Sequence, residues 1–281
     1  MRVRATYLVL VLVITIPVSS EADIGTAFMG SFTSLRQNLS PILSSSHTSS
    51  ASEAATSEEI LTSAMGPQST AVILVKFPDK PNTKTRDQIS QMVFQNVNDY
   101  FREVSYRLIE LVGTVTSDWL LLPQSQGHYV GKSYELTLDS LKAADAEVDY
   151  RQYRNAVVVI AACDLWPSFA WLGPGHWVTS DGVVSLSVAV VDELSRLGGF
   201  AHEIGHMLGL PDLYDYSGKD YVGYWDLMAL GAGNCEGTRP AHPTSWSKIK
   251  LGWIPQPQIL EVHLTWGVRV VVSISPLTLF G

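Results

Sequence analysis

The stretch FAHEIGHMLGLPDLYD, residues 200–215, determines how the rest of this sequence is interpreted. It contains His202, Glu203 and His206 in the spacing His-Glu-x-x-His. On a helix, residues four apart lie on one face about a turn apart. Two imidazoles at this spacing can therefore bind one zinc ion, and the glutamate lies beside them. The spacing predicts a zinc site on a helix.

The other face of this helix is apolar, because Phe200, Ile204 and Leu208 recur every four residues. That period is typical of a helix packed against a core. Gly209 follows the periodic residues and Pro211 comes soon after, which indicates that the helix stops there. The chain must then turn, and the turn can bring a later acidic residue towards the metal.

A third metal ligand is expected among the acidic residues that follow the helix. HEIGHMLGLPD is similar to the extended metzincin pattern His-Glu-x-x-His-x-x-Gly-x-x-His, with Asp212 in the place of the last histidine. In that pattern the glycine, here Gly209, allows the sharp turn, and a carboxylate is an acceptable zinc ligand. We favour Asp212, with Asp215 as the alternative and Asp220 or Asp226 as more distant ones.

The two ends of the sequence differ in composition from its middle. Residues 1–22 begin with two arginines and continue as an apolar run of signal-peptide length, so they predict a secretory signal or, if uncleaved, a membrane anchor. Residues 23–68 are rich in Ser, Thr and Ala and predict a linker or pro-segment. Residues 258–281 alternate and predict a β-rich segment, the start of a further domain if the sequence is truncated.

Residues 69–257 have the pattern of a folded domain in which strands alternate with helices. Apolar runs predict buried strands at 71–77, 155–162 and 183–191, and alternation predicts another at 109–115 with an extension at 119–122. Helical periods occur at 85–104, 133–148 and 242–253, and the motif helix is expected from about Glu193. The aromatic and glycine-rich residues from Cys163 to Ser187 predict a packed loop before the last of these strands.

Peptide hydrolysis would use these residues in distinct roles. Zinc polarises a carbonyl and lowers the pKa of a bound water, and Glu203 is placed to act as the general base. Tyr224 or His242 is a candidate to stabilise the oxyanion, and the spacing does not choose between them. Cys163 and Cys235 are able to form one disulfide in an exported chain, or to stay free.

Three segments, the first of them within the stretch quoted above, resemble the immune inhibitor A family of secreted zinc metallopeptidases. They are HEIGHMLGLPDLYD, YWDLMALG and HPTSWSKIKLGW, and YFREVSYRLIELVGTV upstream is also similar. The resemblance spans about Ser69 to Pro255 and implies an α+β, zincin-like catalytic domain. It also implies that Met228 lies under the zinc. Two differences are the short length of this chain and Arg107, which stands where a glycine is expected.

The favoured hypothesis is therefore a secreted zinc endopeptidase with one catalytic Zn²⁺ and protein or peptide substrates. The alternatives are an inactive zincin-fold binding or adhesion module at the cell surface, and an intracellular zinc hydrolase of another class. A net charge of -8 without a basic patch argues against a nucleic-acid partner. A structural Ca²⁺ has no support in the sequence, and membrane attachment would require that the N-terminal segment stays uncleaved.

Overall fold

The computed structural model describes residues 64–161, 167–215, 217 and 219–255 of the chain. All of them fall within the unit formed by Ser57–Leu260. The predicted signal at 1–22, most of the segment 23–68, Cys163 and the predicted β-rich segment 258–281 lie outside the described residues. In the described part of the chain, no helix has the length and apolar character that crossing a membrane requires.

A mixed sheet organises the described residues. Its strands follow the order β2-β1-β4-β6-β5, and the short β3 pairs with β1. All pairings are parallel except that of β5 with β6. The bounds are β1 Gly66–Lys76, β2 Ile109–Val115, β3 Leu120–Leu121, β4 Asn155–Ile160, β5 Phe169–Thr179 and β6 Gly182–Asp192.

The central strands β1 and β4 are apolar because both of their faces are buried. Every residue of β4 is buried, and so are the residues of β1 from Thr70 to Val75. A strand that is buried on both faces reads as a continuous run of β-branched and aliphatic residues, which is how these two strands were predicted. β1 begins at Gly66, earlier than the Ser69 at which the sequence placed the start of the domain.

The helices lie between the strands in the chain. Their bounds are α1 Arg86–Gln91, α2 Asn98–Val104, α3 Ser133–Ala144, α4 Leu197–Met207 and α5 Ser245–Lys250. A π-helical stretch, Met92–Val97, joins α1 to α2 and makes one continuous rod. The rod starts at a capping box, in which Thr85 and Gln88 bond each other's backbone amides. Strands and helices thus form the α+β class that the sequence predicted.

One prediction is wrong: residues 169–179 form a strand and not a loop. β5 pairs antiparallel with β6, with a register irregularity between Ala170 and Pro174. The side chain of Trp177 is buried and donates from Nε1 to the Leu186 carbonyl at 3.0 Å. Glycine and proline in the middle of β5 interrupt the alternation of apolar and polar residues that would have predicted a strand. The strand nevertheless continues, because these residues lie at the irregularity in its pairing.

The helix that carries the motif also begins later than predicted, at Leu197 instead of about Glu193. Glu193 is buried and its carboxylate accepts from the amides of Thr83 and Lys84, at 2.6–3.0 Å. Residues 193–196 instead form a turn between β6 and α4, in which the Ser195 amide donates to the Asp192 carbonyl at 2.9 Å. Glu193 therefore fixes the loop after β1 to the end of β6.

Candidate metal centre

Helix α4 is amphipathic in the way its sequence predicted. Phe200 and Ile204 are buried in the core, and so is Leu208, which caps the C-terminus of the helix. His202 and His206 are partly exposed, each with 12% of its side chain accessible. Burial of one face therefore fixes the rotation of α4 and presents both imidazoles on the other face.

A Schellman motif ends α4 and reverses the chain. The amide of Gly209 donates to the His206 carbonyl at 2.9 Å, and the amide of Leu210 donates to the Gly205 carbonyl at 3.0 Å. Gly209 has a φ of 97°, a conformation that is strained for residues with a β-carbon. The reversal brings Asp212 back over the helix, and Leu213 donates its amide to the Met228 carbonyl at 2.9 Å.

The two histidines each bond a backbone carbonyl with Nδ1. His202 Nδ1 lies 3.0 Å from the Leu227 oxygen, and His206 Nδ1 lies 2.7 Å from the Leu210 oxygen. Because a carbonyl oxygen only accepts, Nδ1 must carry the proton in both rings. In a neutral ring Nε2 then holds a lone pair and is free to bind a metal. Burial and the neighbouring His202 lower the pKa of His206, which favours this neutral form.

Asp212 completes a group of three ligand atoms. Its Oδ1 lies 3.2 Å from His202 Nε2 and 3.3 Å from His206 Nε2. This oxygen is buried and has no hydrogen-bond partner, although it is that close to both nitrogens. With the ring protons on Nδ1, three lone-pair atoms face one another, which is unfavourable without a cation between them.

These separations fit a zinc ion. Zinc bonds to nitrogen and oxygen of about 2.0–2.2 Å in a tetrahedral arrangement hold neighbouring ligand atoms about 3.3 Å apart. The three ligand atoms of His202, His206 and Asp212 all lie within 4.8 Å of one another. Among the described residues, this is the one group of three or more metal-ligating side chains.

Glu203 lies between the two histidines in the sequence and is 7% exposed. Burial, and to a smaller extent the negative charge of Asp212, raises the pKa of Glu203 to about 8. A cation bound at the three ligand atoms would favour the carboxylate and lower this pKa. A buried acid next to candidate ligands is suitable for proton transfer in either direction.

Met228 lies directly against α4. Its side chain is fully buried, and a β-carbon on Gly205 would meet its Sδ atom at 2.6 Å. Met228 follows Leu227, whose carbonyl accepts from His202. The residue predicted to lie under the metal thus packs against the helix turn between the two histidines.

The other acids near the motif bind protein groups. Asp215 Oδ1 accepts from the amides of Ser217 and Lys219 at 3.0 and 2.9 Å, and the Ser217 and Tyr221 hydroxyls also bond its carboxylate. The Ser217 side chain, above all, lowers the pKa of Asp215. These hydrogen bonds stabilise a local turn around Asp215.

Asp220 and Asp226, the more distant alternatives, are also bonded to the protein. Asp220 accepts from three backbone amides, at 2.6–3.3 Å. Asp226 is fully buried and accepts from the amides of Met228 and Thr244, both at 2.6 Å. The structure brings neither of them into the group formed by the two histidines and Asp212.

The two candidate oxyanion stabilisers lie in different surroundings. Tyr224 is 63% exposed and follows Gly223 in a short 3₁₀ turn. His242 bonds Glu103 of α2, with its Nε2 3.1 Å from Oε1, and its ring packs edge-on against Tyr100. Burial lowers the pKa of His242. His242 is therefore engaged with α2, whereas Tyr224 is accessible.

Cys235 is an exposed free cysteine, and Cys163 lies outside the described residues, so their pairing stays a prediction.

Sequence reasoning missed the carbonyl groups of Leu210 and Leu227, which accept from the two histidines. A backbone acceptor cannot be recognised from the residue type. Only the Leu210 carbonyl could have been predicted, from the chain reversal after Gly209.

Comparisons with known proteins bear on the same part of the chain. Residues 176–254 match the family model for the immune inhibitor A peptidase M6 catalytic domain. Two curated relatives, both pre-pro-metalloprotease PrtV, from Vibrio cholerae serotype O1 strains M66-2 and ATCC 39315 / El Tor Inaba N16961, are 50% identical over 109 residues. The alignment covers 35% of this chain and 12% of each relative.

Among solved structures, the chain is similar to metalloproteinase-II from Bacteroides fragilis, with 14% identity and a TM-score of 0.33. That alignment covers 66% of this chain and 52% of the other. The chain thus spans a small part of its curated relatives, and the match is concentrated on the residues that form β6, α4 and the Met228 loop. The resemblance to the immune inhibitor A family is confirmed, and residues 176–254 are similar to the M6 peptidase catalytic domain of that family.

Proposed function

We propose that this protein is a secreted zinc-dependent endopeptidase in which His202, His206 and Asp212 hold the metal and Glu203 is the general base. The observation that supports it most directly is the convergence of two Nε2 lone pairs and a buried carboxylate oxygen without a hydrogen-bond partner. A family match to a peptidase catalytic domain supports the same reaction class.

The chemistry follows from the placement of these groups. A bound zinc ion supplies a Lewis acid that polarises the scissile carbonyl and lowers the pKa of water. His202 and His206 keep their lone pairs available because their Nδ1 protons are donated to carbonyl groups. Glu203 takes a proton from the attacking water and returns it to the leaving nitrogen. Tyr224, exposed in the loop before Met228, is the candidate that we favour to stabilise the oxyanion.

The remaining assignments belong to the same proposal. Residues 1–22 act as the export signal, residues 23–68 as a linker or pro-segment, 69–257 as the catalytic domain and 258–281 as a β-rich segment. The two Vibrio relatives are named pre-pro-metalloproteases, and this name supports the proposed division at the N-terminus. Substrates are proteins or peptides.

Metal analysis and proteolysis test the proposal together. The purified full chain should contain zinc, and it should cleave an unstructured protein until a chelator removes the metal. Glu203→Gln should keep the zinc and lose about 10²- to 10⁴-fold in turnover, as expected when a general base is removed. Glu110→Gln, at an exposed salt bridge with Arg102, is the matched control and should behave as the parent.

Three outcomes would contradict the proposal. A parent chain that binds zinc but cleaves no peptide bond would favour the inactive binding or adhesion module. A Glu203→Gln variant with parental turnover would show that another group is the base. Failure to bind zinc in the parent would remove the metallopeptidase assignment itself.

A further inference from the structure

The peptide group between Leu227 and Met228 is hydrogen-bonded on both sides. Its carbonyl accepts from His202 Nδ1 at 3.0 Å, and its amide donates to Asp226 Oδ1 at 2.6 Å. A peptide group is a rigid plane in which the C=O and N–H point in opposite directions. The bond to Asp226 therefore fixes the direction of the carbonyl that His202 uses.

Asp226 is itself held firmly. It is 0% exposed, and its Oδ2 accepts from the Thr244 amide at 2.6 Å and from the Ser247 hydroxyl at 3.2 Å. A buried carboxylate is retained only where several donors compensate its loss of hydration, and three donors do so here. Both oxygens are occupied by the protein, and two of the donors belong to the start of α5.

We propose that Asp226 is a positioning residue for the metal centre, which orients His202 and holds its Nδ1–H tautomer through the Leu227–Met228 peptide. The inference rests on the proposed function, since it assigns a role at the same metal site. Hydrogen bonds in series polarise one another, so a carboxylate on the amide makes the carbonyl a stronger acceptor for His202. A stronger acceptor on Nδ1 makes Nε2 a better metal ligand.

His206 provides an internal comparison. Its Nδ1 bonds the Leu210 carbonyl, and the nitrogen of that same peptide group belongs to Pro211, which has no N–H to donate to a carboxylate. Loss of the Asp226 charge should therefore change His202 and leave His206 as it was. A general loosening of the fold would change both rings, so the two histidines separate a positioning role from a merely structural one.

The first test uses the metal-free full chain and the Asp226→Asn variant. An amide offers one acceptor oxygen, so it cannot serve both the Met228 amide and the donors of α5. Nitrogen-15 NMR of the histidine rings near pH 8, where imidazoles of ordinary pKa are neutral, reports which ring nitrogen carries the proton. We expect the Nδ1–H fraction of His202 to fall and that of His206 to stay unchanged.

The second test measures zinc dissociation constants for the same proteins. Asp226→Asn should weaken zinc binding about 10- to 100-fold, the usual effect of removing the partner of a ligating histidine. Asp220→Asn is the matched control, because Asp220 also accepts backbone amides in this loop but does not touch the Leu227–Met228 peptide. Ser247→Ala, which removes one donor from Asp226, should weaken zinc binding by less than Asp226→Asn does.

The proposal is overturned if the His202 tautomer and the zinc affinity of Asp226→Asn equal those of the parent. It is also overturned if both histidines change together, or if Asp220→Asn has the same effect as Asp226→Asn. If the parent binds no zinc, the proposed function fails, but the tautomer comparison in the metal-free chain still decides the role of Asp226.

Discussion

Gly205 and Met228 touch so closely that a single added β-carbon on the glycine would lie 2.6 Å from the methionine sulfur. The contact joins the helix turn between His202 and His206 to the loop that carries Leu227. Met228 is fully buried, so its side chain has little space into which it can move. Met228 can therefore pack against α4 beneath the candidate metal centre only because residue 205 is a glycine.

Gly205→Ala should lower the free energy of unfolding by about 1–3 kcal/mol, as overpacking of a core does. Met228→Ala alone should cost about 2–5 kcal/mol by creating a cavity. The double variant should lose less unfolding free energy than the sum of the two single losses, because the cavity left by Met228→Ala gives room for the methyl group of Gly205→Ala. Denaturant unfolding of the four proteins measures this, and additive losses would contradict the contact.

Gly198 and Gly199 should respond differently to alanine although they are neighbours in α4. A β-carbon on Gly198 would lie 1.9 Å from the backbone oxygen of Ala232, which is not able to rotate away. We expect Gly198→Ala to cost about 3 kcal/mol of unfolding free energy.

Gly199→Ala is the matched control. Its β-carbon would meet the Ser195 Cβ at 3.2 Å, and the better helix propensity of alanine, worth about 1 kcal/mol, should offset that contact. Thermal unfolding of both variants checks the contrast. Equal stabilities would show that α4 does not approach Ala232 as described.

Asp212→Ala should reduce zinc affinity strongly, because it removes the carboxylate oxygen that lies 3.2 and 3.3 Å from the two Nε2 atoms. Asp215→Ala should leave zinc affinity near that of the parent, since Asp215 serves a local turn. Competitive titration with a chelating dye gives both dissociation constants. The reverse order of effects would transfer the ligand role to Asp215.

Arg107→Gly should stabilise the protein. Arg107 has a φ of 65°, in the left-handed region that costs an ordinary residue about 1–2 kcal/mol. Glycine removes this cost but gains freedom in the unfolded chain, so the net gain should be up to about 1 kcal/mol. Denaturant unfolding measures it.

Tyr106→Gly makes the contrast, because Tyr106 has a φ of 59° but also contacts Lys248. Lys248 Nζ lies 4.6 Å from the centre of its ring and 3.3 Å from its hydroxyl. Removal of these contacts should cancel any relief of strain. A stability of Arg107→Gly below that of the parent would show that the arginine side chain contributes more than its backbone strain costs.

Acid should remove a contribution that Asp149 makes to stability. Hydrogen bonds from the side chains of Arg151 and then Gln152 lower the pKa of Asp149 from 3.8 to about 2. A carboxyl whose pKa is lower in the folded state stabilises the fold above its unfolded pKa and loses that effect as the pH falls. The stability difference between parent and Asp149→Asn should be complete above about pH 4 and shrink towards pH 2.

Urea unfolding at a series of pH values between 2 and 6 measures this difference. Asp139→Asn, which removes a carboxylate bonded to the Tyr129 hydroxyl, is a control from outside this cluster. A difference between parent and Asp149→Asn that grows as the pH falls would contradict the assignment.

The sequence predicted α4 and the central strands because their signals are local. His202 and His206 share a face by spacing alone, and the run in β4 is apolar because both of its sides are covered. β5 was not predicted, since its strand character depends on pairing with β6 across an irregularity at Pro174. Such pairing is a property of the assembled sheet and not of the segment.

The candidate site was predicted to a similar extent. Side chains that can bind a metal, among them Asp212, are identified by their residue type in the sequence. The carbonyl groups of Leu227 and Leu210 are not, because every residue of any chain has a backbone carbonyl. His242 is a further example, because its partner Glu103 lies far away in sequence. No spacing rule connects a histidine in one segment with a glutamate that only the fold brings to it.

Two hydrogen bonds join helix α4 to the segment of residues 227–237. The Gly198 amide donates to the Gly237 carbonyl at 2.8 Å, and His202 Nδ1 donates to the Leu227 carbonyl at 3.0 Å. A local opening of this segment would break both bonds at once and release the support of His202. We therefore expect this opening to limit the rate at which the metal dissociates. The rate of zinc loss should then follow the hydrogen-exchange rate of the Met228 amide.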